Sequence, residues 1–284
     1  MESMKCNITV GDCREVLAAM PEKSVQCCVT SPPYFGLRDY GNNDQIGLEQ
    51  TPEAFVAELV KVFQGVMRVL KDDGTLWLNL GDSYGDKQLI GIPWRVAFAL
   101  QQVGWYLRQD IIWSKPNPMP ESVTDRCTKA HEYIFLLSKS PKYFYDADAV
   151  REPHCEAVAK VAGTASKSEL AGGISTPAYN KPTTGRGNNN TRSHPDGRNK
   201  RSVWEVTTQP YSGAHFATFP PDLIKPCIMA GCPTGGTVLD PFGGSGTTGM
   251  VALELGRSAE LIELNPDYAE IAEGRTNVTH GLGL

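Results

Sequence analysis

Apolar and polar positions along the chain alternate between two periods. Asn7-Ile8-Thr9-Val10 is a short β-prone run that ends at Gly11-Asp12. From Cys13 to Met20 the spacing turns helical, with Val16, Leu17 and Met20 on one side and Pro21 as the stop. Val25-Gln26-Cys27-Cys28-Val29 reads as a buried strand. A polar-aromatic loop then runs to about Gln50, where Thr51-Pro52-Glu53 offers a helix start with a hydroxyl cap and a proline in the first turn. Phe55, Leu59, Val62, Phe63, Val66 and Leu70 are the apolar stripe of that helix. Asp72-Asp73-Gly74 predicts a turn, and 75–80 a strand closing on Gly81-Asp82. A helix is expected over 93–102 and strands over 105–113 and 132–137, with a proline-rich loop at 114–128. Trp105 and Trp113 read as core, and His131 and Glu132, which open a strand, as structural.

Periodicity stops between Glu152 and about Lys200, a stretch rich in Gly, Ser, Thr, Asn and Pro. A structureless loop of that length in a compact domain is functional or disordered. Order resumes with a strand at 202–206 and the segment His215 to Pro220. A helix over 222–230 follows, which Pro226 is expected to kink or shorten. The C-terminal third is the clearest part. A strand at 237–240 leads into a glycine turn, Pro241 to Thr248, then a helix over 249–255. A strand at 259–262 runs into Glu263-Leu264-Asn265-Pro266, and a last helix reaches about Arg275. Alternating strands and helices predict a mostly parallel sheet covered by helices on both faces.

The 284 residues can bury a sizeable core. No apolar stretch is long enough to span a membrane, and the N-terminus lacks a charged-then-apolar signal pattern, so a cytoplasmic location is the expectation. The eight cysteines include no CxxC pair and no His spacing that completes a zinc site; no metal is expected, and the cysteines read as small reduced apolar residues. Net charge is −5, but residues 160–201 carry +6 and the remainder −11. An acidic body with one basic surface suggests a polyanionic partner.

Two constellations carry chemistry. Thr30-Ser31-Pro32-Pro33-Tyr34 follows the strand at 25–29, and its paired prolines force the backbone to leave the sheet rigid and extended. A hydroxyl, proline carbonyls and an aromatic ring are thereby placed at a strand's C-terminal end, where open α/β sheets bind ligands. The second constellation is the strand, glycine turn, helix and strand that end at Glu263, 23 positions after Asp240. That is close to the offset of about 20 at which a carboxylate meets ribose hydroxyls in nucleoside-binding βαβ units. The turn opens with an acid, which repels a pyrophosphate but suits an ammonium and a sulfonium. This favours S-adenosylmethionine over NAD.

Asp-Pro-Phe-Gly-Gly-Ser-Gly-Thr-Thr at 240–248, taken with Thr-Ser-Pro-Pro-Tyr at 30–34, resembles the amino-directed DNA methyltransferases, which modify cytosine N4 or adenine N6. The catalytic motif precedes the cofactor motif, an order that resembles the β group. The resemblance implies a Rossmann-like S-adenosylmethionine-dependent methyltransferase fold with circularly permuted motif order. It implies a catalytic and cofactor-binding domain over 1–139 and 202–284, and a target-recognition insertion over 140–201. Ser31, Pro32, Pro33 and Tyr34 become the catalytic residues. Ser31 and the Pro32 carbonyl would accept from the base amino group, and Tyr34 would stack on a base flipped from the duplex. The cofactor set is Asp12, Phe216, Ala217, Thr218, Asp240, Phe242, Gly243, Gly244, Ser245, Gly246, Thr247, Glu263 and Leu264, with Asp12 meeting the adenine amino group. Arg186, Arg192, Arg198, Lys200 and Arg201 are the candidate DNA contacts. Asp39 and Asp82, after catalytic-side strands, read as solvated or capping carboxylates. Double-stranded DNA is the implied partner; a homodimer and a cognate restriction endonuclease are compatible with it.

Ser before Pro-Pro resembles the cytosine-N4 enzymes more than the adenine-N6 ones, which carry Asp or Asn there more often. Cytosine C5 chemistry needs a nucleophilic cysteine, typically in Pro-Cys-Gln, and the one Pro-Cys here, Pro226-Cys227-Ile228, sits on a predicted helix. The rival readings are a protein or RNA methyltransferase and a non-catalytic DNA-binding module. The motif order and the two intact motifs speak against them. The arrangement also makes a geometric demand: Gly11 and Glu263 should end neighbouring strands.

Overall fold

A computed structural model describes residues 4–37, 45–154, 194–208 and 219–280. The chain divides into two compact units, one formed by 1–149 with 201–284 and the other by 150–200.

The first unit is built on an eight-stranded sheet. Its strands are β1 (Cys6–Val10), β2 (Val25–Thr30), β3 (Leu70–Leu80), β6 (Tyr106–Ser114), β7 (His131–Ser138), β8 (Val203–Glu205), β9 (Thr237–Asp240) and β10 (Ser258–Glu263), in the order β1-β10-β9-β2-β3-β7-β6-β8. The five strands from β1 to β3 are mutually parallel, whereas β7 runs antiparallel to both β3 and β6. Every residue of β2 is buried, as expected of a central strand with neighbours on both sides. The predicted turn at 72–74 is a bulge instead: β3 pairs with β2 at Leu70, slips register, and pairs again from Thr75. A two-stranded hairpin, β4 (Tyr84–Gly85) with β5 (Gln88–Leu89), is an addition to the expected elements.

Six described helices cover the sheet: α1 (Cys13–Ala19), α2 (Pro52–Val69), α3 (Ile92–Gln102), α4 (Pro221–Gly231), α5 (Thr247–Glu254) and α6 (Pro266–His280). Thr51 caps α2 as its sequence promised, accepting from Ala54 N at 3.2 Å. The α2 residues Phe55, Leu59, Val62, Phe63 and Val66 are buried in one cluster with Leu17 of α1, Leu100 of α3, and Leu76, Leu78 and Leu80 of β3. Alternation along β3 sends Trp77 to the opposite face, where α4 passes so close that a Cβ on Gly231 would lie 2.5 Å from the Trp77 Nε1. Helices thus occupy both faces. Pro226 neither shortens α4 nor ends it; the helix runs through to Gly231, held by buried Leu223, Ile224, Cys227 and Ile228. Asp82 is a helix-start residue: its Oδ1 accepts from Gly91 N and Ile92 N, both at 3.0 Å, as α3 begins. Trp105 and Trp113 are core, 2% and 4% exposed. No helix among the described residues is long and apolar enough to cross a membrane.

In the second unit the Glu152 and Arg198 backbones pair in both directions, N to O, at 2.9 and 2.8 Å. His154 Nε2 lies 2.8 Å from the His194 carbonyl. Arg198 Nε and Lys200 Nζ both approach the Glu152 carboxylate, at 3.3 and 3.8 Å.

Candidate active site

Because β1, β10, β9 and β2 are parallel neighbours, their C-terminal ends deliver Asp12, Glu263, Asp240 and Ser31 to one edge of the sheet. Val10 stands opposite Glu263, and Gly11 N donates to the Glu263 carbonyl at 2.9 Å, as the geometric demand required. A cavity of about 380 Å³ opens at this edge. It is lined by Asp240 to Ser245, Thr247 and Thr248 of the glycine turn, without Gly246, by Asp12, by Glu263 and Leu264, and by Ser31, Pro32, Pro33 and Tyr34. Sequence-distant motifs therefore line one cavity.

The glycine turn is held from three sides. Gly244 N donates to Glu263 Oε2 at 2.7 Å, and Asn265 N donates to Glu263 Oε1 at 2.9 Å. Burial pushes the Glu263 carboxyl up from its ordinary range, against these backbone bonds, which pull it down. Arg275 of α6 donates to the Ser245 carbonyl and hydroxyl, both at 2.7 Å, and to the Thr247 hydroxyl at 3.2 Å. Gly246 has a left-handed φ of 80°, and a Cβ there would stand 2.8 Å from the Ala272 Cβ.

Asp240, 2% exposed, is turned inward. Its Oδ1 accepts from the Thr30 hydroxyl at 2.6 Å and from Phe242 N at 3.0 Å, and its Oδ2 accepts from the Thr248 hydroxyl at 2.6 Å. Burial pushes its pKa up to about 6, against these three bonds, which pull it down. Through Thr30 this carboxylate joins the strand that carries Ser31 to the glycine turn. Asp12 has a partner that sequence reasoning missed. Its carboxylate caps α1, accepting from Arg14 N at 2.7 Å, and forms an ion pair with the Arg14 guanidinium, which in turn reaches Glu58 at 2.9 Å. The hydrogen bond from Arg14 holds the Asp12 carboxyl below its usual range.

These groups fit S-adenosylmethionine. The charged residues that line the cavity are Asp12, Asp240, Glu263 and Arg14, and Arg14 is engaged by two acids. Carboxylates suit a sulfonium, an ammonium and ribose hydroxyls, whereas a pyrophosphate would meet repulsion.

On the other wall, Pro32 is buried and Ser31, Pro33 and Tyr34 are half-buried. The Tyr34 ring lies on Gly81, where a Cβ would come within 2.5 Å of Cε2. The Tyr34 hydroxyl donates to Glu132 Oε2 at 2.6 Å. Burial first, and then the Glu132 charge, raise the phenol well above its ordinary range, so it stays protonated. Glu132, read from the sequence as a structural strand opening, was not among the expected site residues; nor were Thr30, Thr248, Asn79 and Arg275. Phe216, Ala217 and Thr218 lie outside the described residues, as do Asp39, Arg186 and Arg192; Phe219, next in the chain, lines the cavity. Arg198 and Lys200 converge on Glu152 rather than standing alone, and Arg201 is exposed.

A family model described as DNA methylase matches residues 25–274. The type II methyltransferase M.SmaI of Serratia marcescens is 45% identical over 299 residues, covering 95% of this chain and 90% of its own. M.Cfr9I of Citrobacter freundii, also a type II methyltransferase, is 46% identical over 294 residues, covering 93% and 85%. Among solved structures, a DNA modification methylase from Thermus thermophilus, complexed with S-adenosyl-L-methionine, superposes with a TM-score of 0.63 at 26% identity, covering 98% of this chain and 97% of its own. The cytosine-N4-specific PvuII DNA methyltransferase shares the fold, with a TM-score of 0.69 at 21% identity over 96% of this chain and 86% of its own.

Proposed function

The chain belongs to the DNA methylase family, and we propose that it is a sequence-specific type II enzyme that methylates cytosine N4 in duplex DNA. Its reaction class is amino-directed methylation, with S-adenosylmethionine as donor. The observation that carries the finer reading is Ser31, a hydroxyl before Pro32-Pro33, lining the same cavity as the Asp240 to Thr248 turn. A hydroxyl can accept from the exocyclic amino group and also donate to the neighbouring cytosine N3, which a carboxylate cannot.

The bound donor supplies an electrophilic methyl group on a sulfonium. The chain's own residues supply position and electrostatics. The Ser31 hydroxyl and the Pro32 carbonyl accept from the amino group and oppose delocalisation of its lone pair into the ring. The nitrogen is then nucleophilic without a covalent enzyme intermediate. The Tyr34 ring, backed by Gly81, stacks on the flipped base. Asp240 and Glu263 hold the cationic and ribose ends of the donor. The basic stretch within 140–201 reads the target, and a restriction endonuclease sharing that target is the natural counterpart of a type II enzyme. The type II relatives support this last reading.

The test is transfer of tritiated methyl from S-adenosylmethionine to duplex DNA, RNA and protein, followed by base analysis. N4-methylcytosine in duplex DNA is expected and should vanish in Ser31→Ala. N6-methyladenine would overturn the choice of base, label in RNA or protein the substrate class, and full activity in Ser31→Ala the catalytic assignment.

A further inference from the structure

Just past Gly81 the chain leaves the sheet as a hairpin that methyl transfer itself does not need. All six residues from Tyr84 to Leu89 are exposed, so the hairpin stands out from the body. Its footing is fixed. The Asp82 carboxylate accepts from Gly91 N and Ile92 N, Ile90 N donates to the Ser83 carbonyl at 3.0 Å, and Lys129 Nζ donates to the Asp82 carbonyl at 2.8 Å. The footing is also continuous with Tyr34. Gly81 lies against the Tyr34 ring, and the Ser83 hydroxyl donates to the Phe35 carbonyl at 3.4 Å. Asn79 Nδ2 and the Tyr34 hydroxyl share one acceptor, Glu132 Oε2, at 3.2 and 2.6 Å.

Pairing gives the hairpin an apolar face. Tyr84 stands directly opposite Leu89, which puts both side chains on one side. They are 40% and 55% exposed. From the loop at 115–130, the Arg126 guanidinium lies 4.0 Å from the Tyr84 ring centre and is itself paired to Glu121 at 2.6 Å. A lone two-stranded hairpin is marginal in water, and this brace holds it in place. At the tip Asp86 and Lys87 cancel in charge, and Lys87 meets Asp125 at 3.6 Å. A surface built for phosphates carries excess positive charge, which this one lacks. An aromatic and aliphatic pair suits the faces of bases, and a duplex offers those where a base has left the stack.

We propose that the 84–89 hairpin is a wedge for duplex DNA. As the target base swings onto Tyr34, Leu89 and Tyr84 fill the gap, against the orphaned partner base and the neighbouring pair. Because β3 and β2 are paired neighbours, the hairpin and the Tyr34 loop leave the sheet about 5 Å apart, within reach of one flipped nucleotide and the stack beside it. The wedge restores stacking lost on flipping and takes no part in the transfer. The inference rests on the proposed action on duplex DNA.

The parent first methylates plasmid DNA, and sequencing of the modified base gives the target site. Two duplexes carrying that site follow, one fully paired and one with an abasic residue opposite the target, so that no pair holds the target base. kcat/KM of the full-length Leu89→Ser and Tyr84→Ala variants is compared with that of the parent on each duplex, together with cofactor affinity, the urea midpoint and the mass by light scattering. Each variant should lose at least about tenfold on the paired duplex and less than about threefold on the abasic one. Cofactor affinity and the Leu89→Ser midpoint should stay close to those of the parent. No loss on the paired duplex, or equal losses on both, would overturn the inference. A parent dimer that the variants dissolve would assign the face to a second copy of the chain and overturn it as well. If the parent leaves duplex DNA unmodified, the proposed function falls and takes this inference with it. If the parent methylates DNA and the variants match it on both duplexes, this inference alone fails.

Discussion

Asp240→Asn should make the cofactor-free protein more stable and a worse enzyme. The carboxylate is buried, no ion pair to it occurs among the described residues, and burial raises its pKa from 3.8 to about 6. Roughly two units at about 1.4 kcal/mol each put the cost of the buried charge near 3 kcal/mol. Below the unfolded value of 3.8 the group is neutral in both states, and its contribution to stability is fully present. Between there and about 6 the folded chain holds a proton that the unfolded chain releases, so stability falls as pH rises, and above about 6 the contribution is gone. Asparagine carries no such charge, and the site can accommodate it. Its Oδ1 keeps the bonds from Thr30 and Phe242 N, and its Nδ2 donates to the Thr248 hydroxyl. The Thr248 proton can turn to the Val29 carbonyl, 3.5 Å away. Urea unfolding without cofactor is therefore expected to favour Asp240→Asn by up to about 3 kcal/mol at pH 8, and by about half of that at pH 5. Its affinity for S-adenosylmethionine should fall at least about tenfold, because the role proposed for the Asp240 charge is to offset that of the donor. A variant no more stable than the parent at pH 8, or a gap that does not narrow toward pH 5, would refute the reasoning.

Three other substitutions probe the same frame. Thr30→Val removes a buried donor to that carboxylate, which should cost about 1.5–3 kcal/mol in urea unfolding at pH 8, and less at pH 5, where Asp240 is protonated. Gly246→Ala places a side chain at a left-handed φ of 80° and 2.8 Å from the Ala272 Cβ, so thermal unfolding should show a loss of roughly 2 kcal/mol or more, together with weaker cofactor binding. Gly81→Ala drives a methyl into the Tyr34 ring, 2.5 Å from Cε2. Calorimetry should find cofactor affinity nearly unchanged, while kcat drops at least about tenfold.

Parts of the site were legible because their signals are local. Asp240, the glycine turn and Glu263 lie within one βαβ unit, where a tight turn and a strand-ending acid follow at a regular offset. The Tyr34–Glu132 bond spans 98 positions and depends on β7 running antiparallel beside β3, with Leu80 opposite Tyr133. No periodicity in either strand announces that pairing. The 84–89 hairpin escaped for a different reason: its tip is Asp86-Lys87, both left-handed, without the glycine or asparagine that marks such turns. Asp12 was read toward the cofactor, although an acid immediately before a helical run is also a cap, and Arg14 two positions on completes that cap.

Strand order also explains why the catalytic motif can precede the cofactor motif in the chain. The chemistry needs β2 beside β9, and those strands pair at Cys27 with Val238 and Cys28 with Leu239. The Thr30–Asp240 bond then locks their ends together across 210 positions. On the far side of β9, β1 pairs with β10, so Cys6–Val10 lies beside Ala259–Glu263 at the sheet edge. A parallel sheet fixes which strands are neighbours and leaves free where the chain is opened. Moving the termini changes connections while Ser31 and the glycine turn stay face to face. The β2–β9 seam therefore holds the two motifs together, and Thr30, which resembles neither a nucleophile nor a ligand, closes it through Asp240.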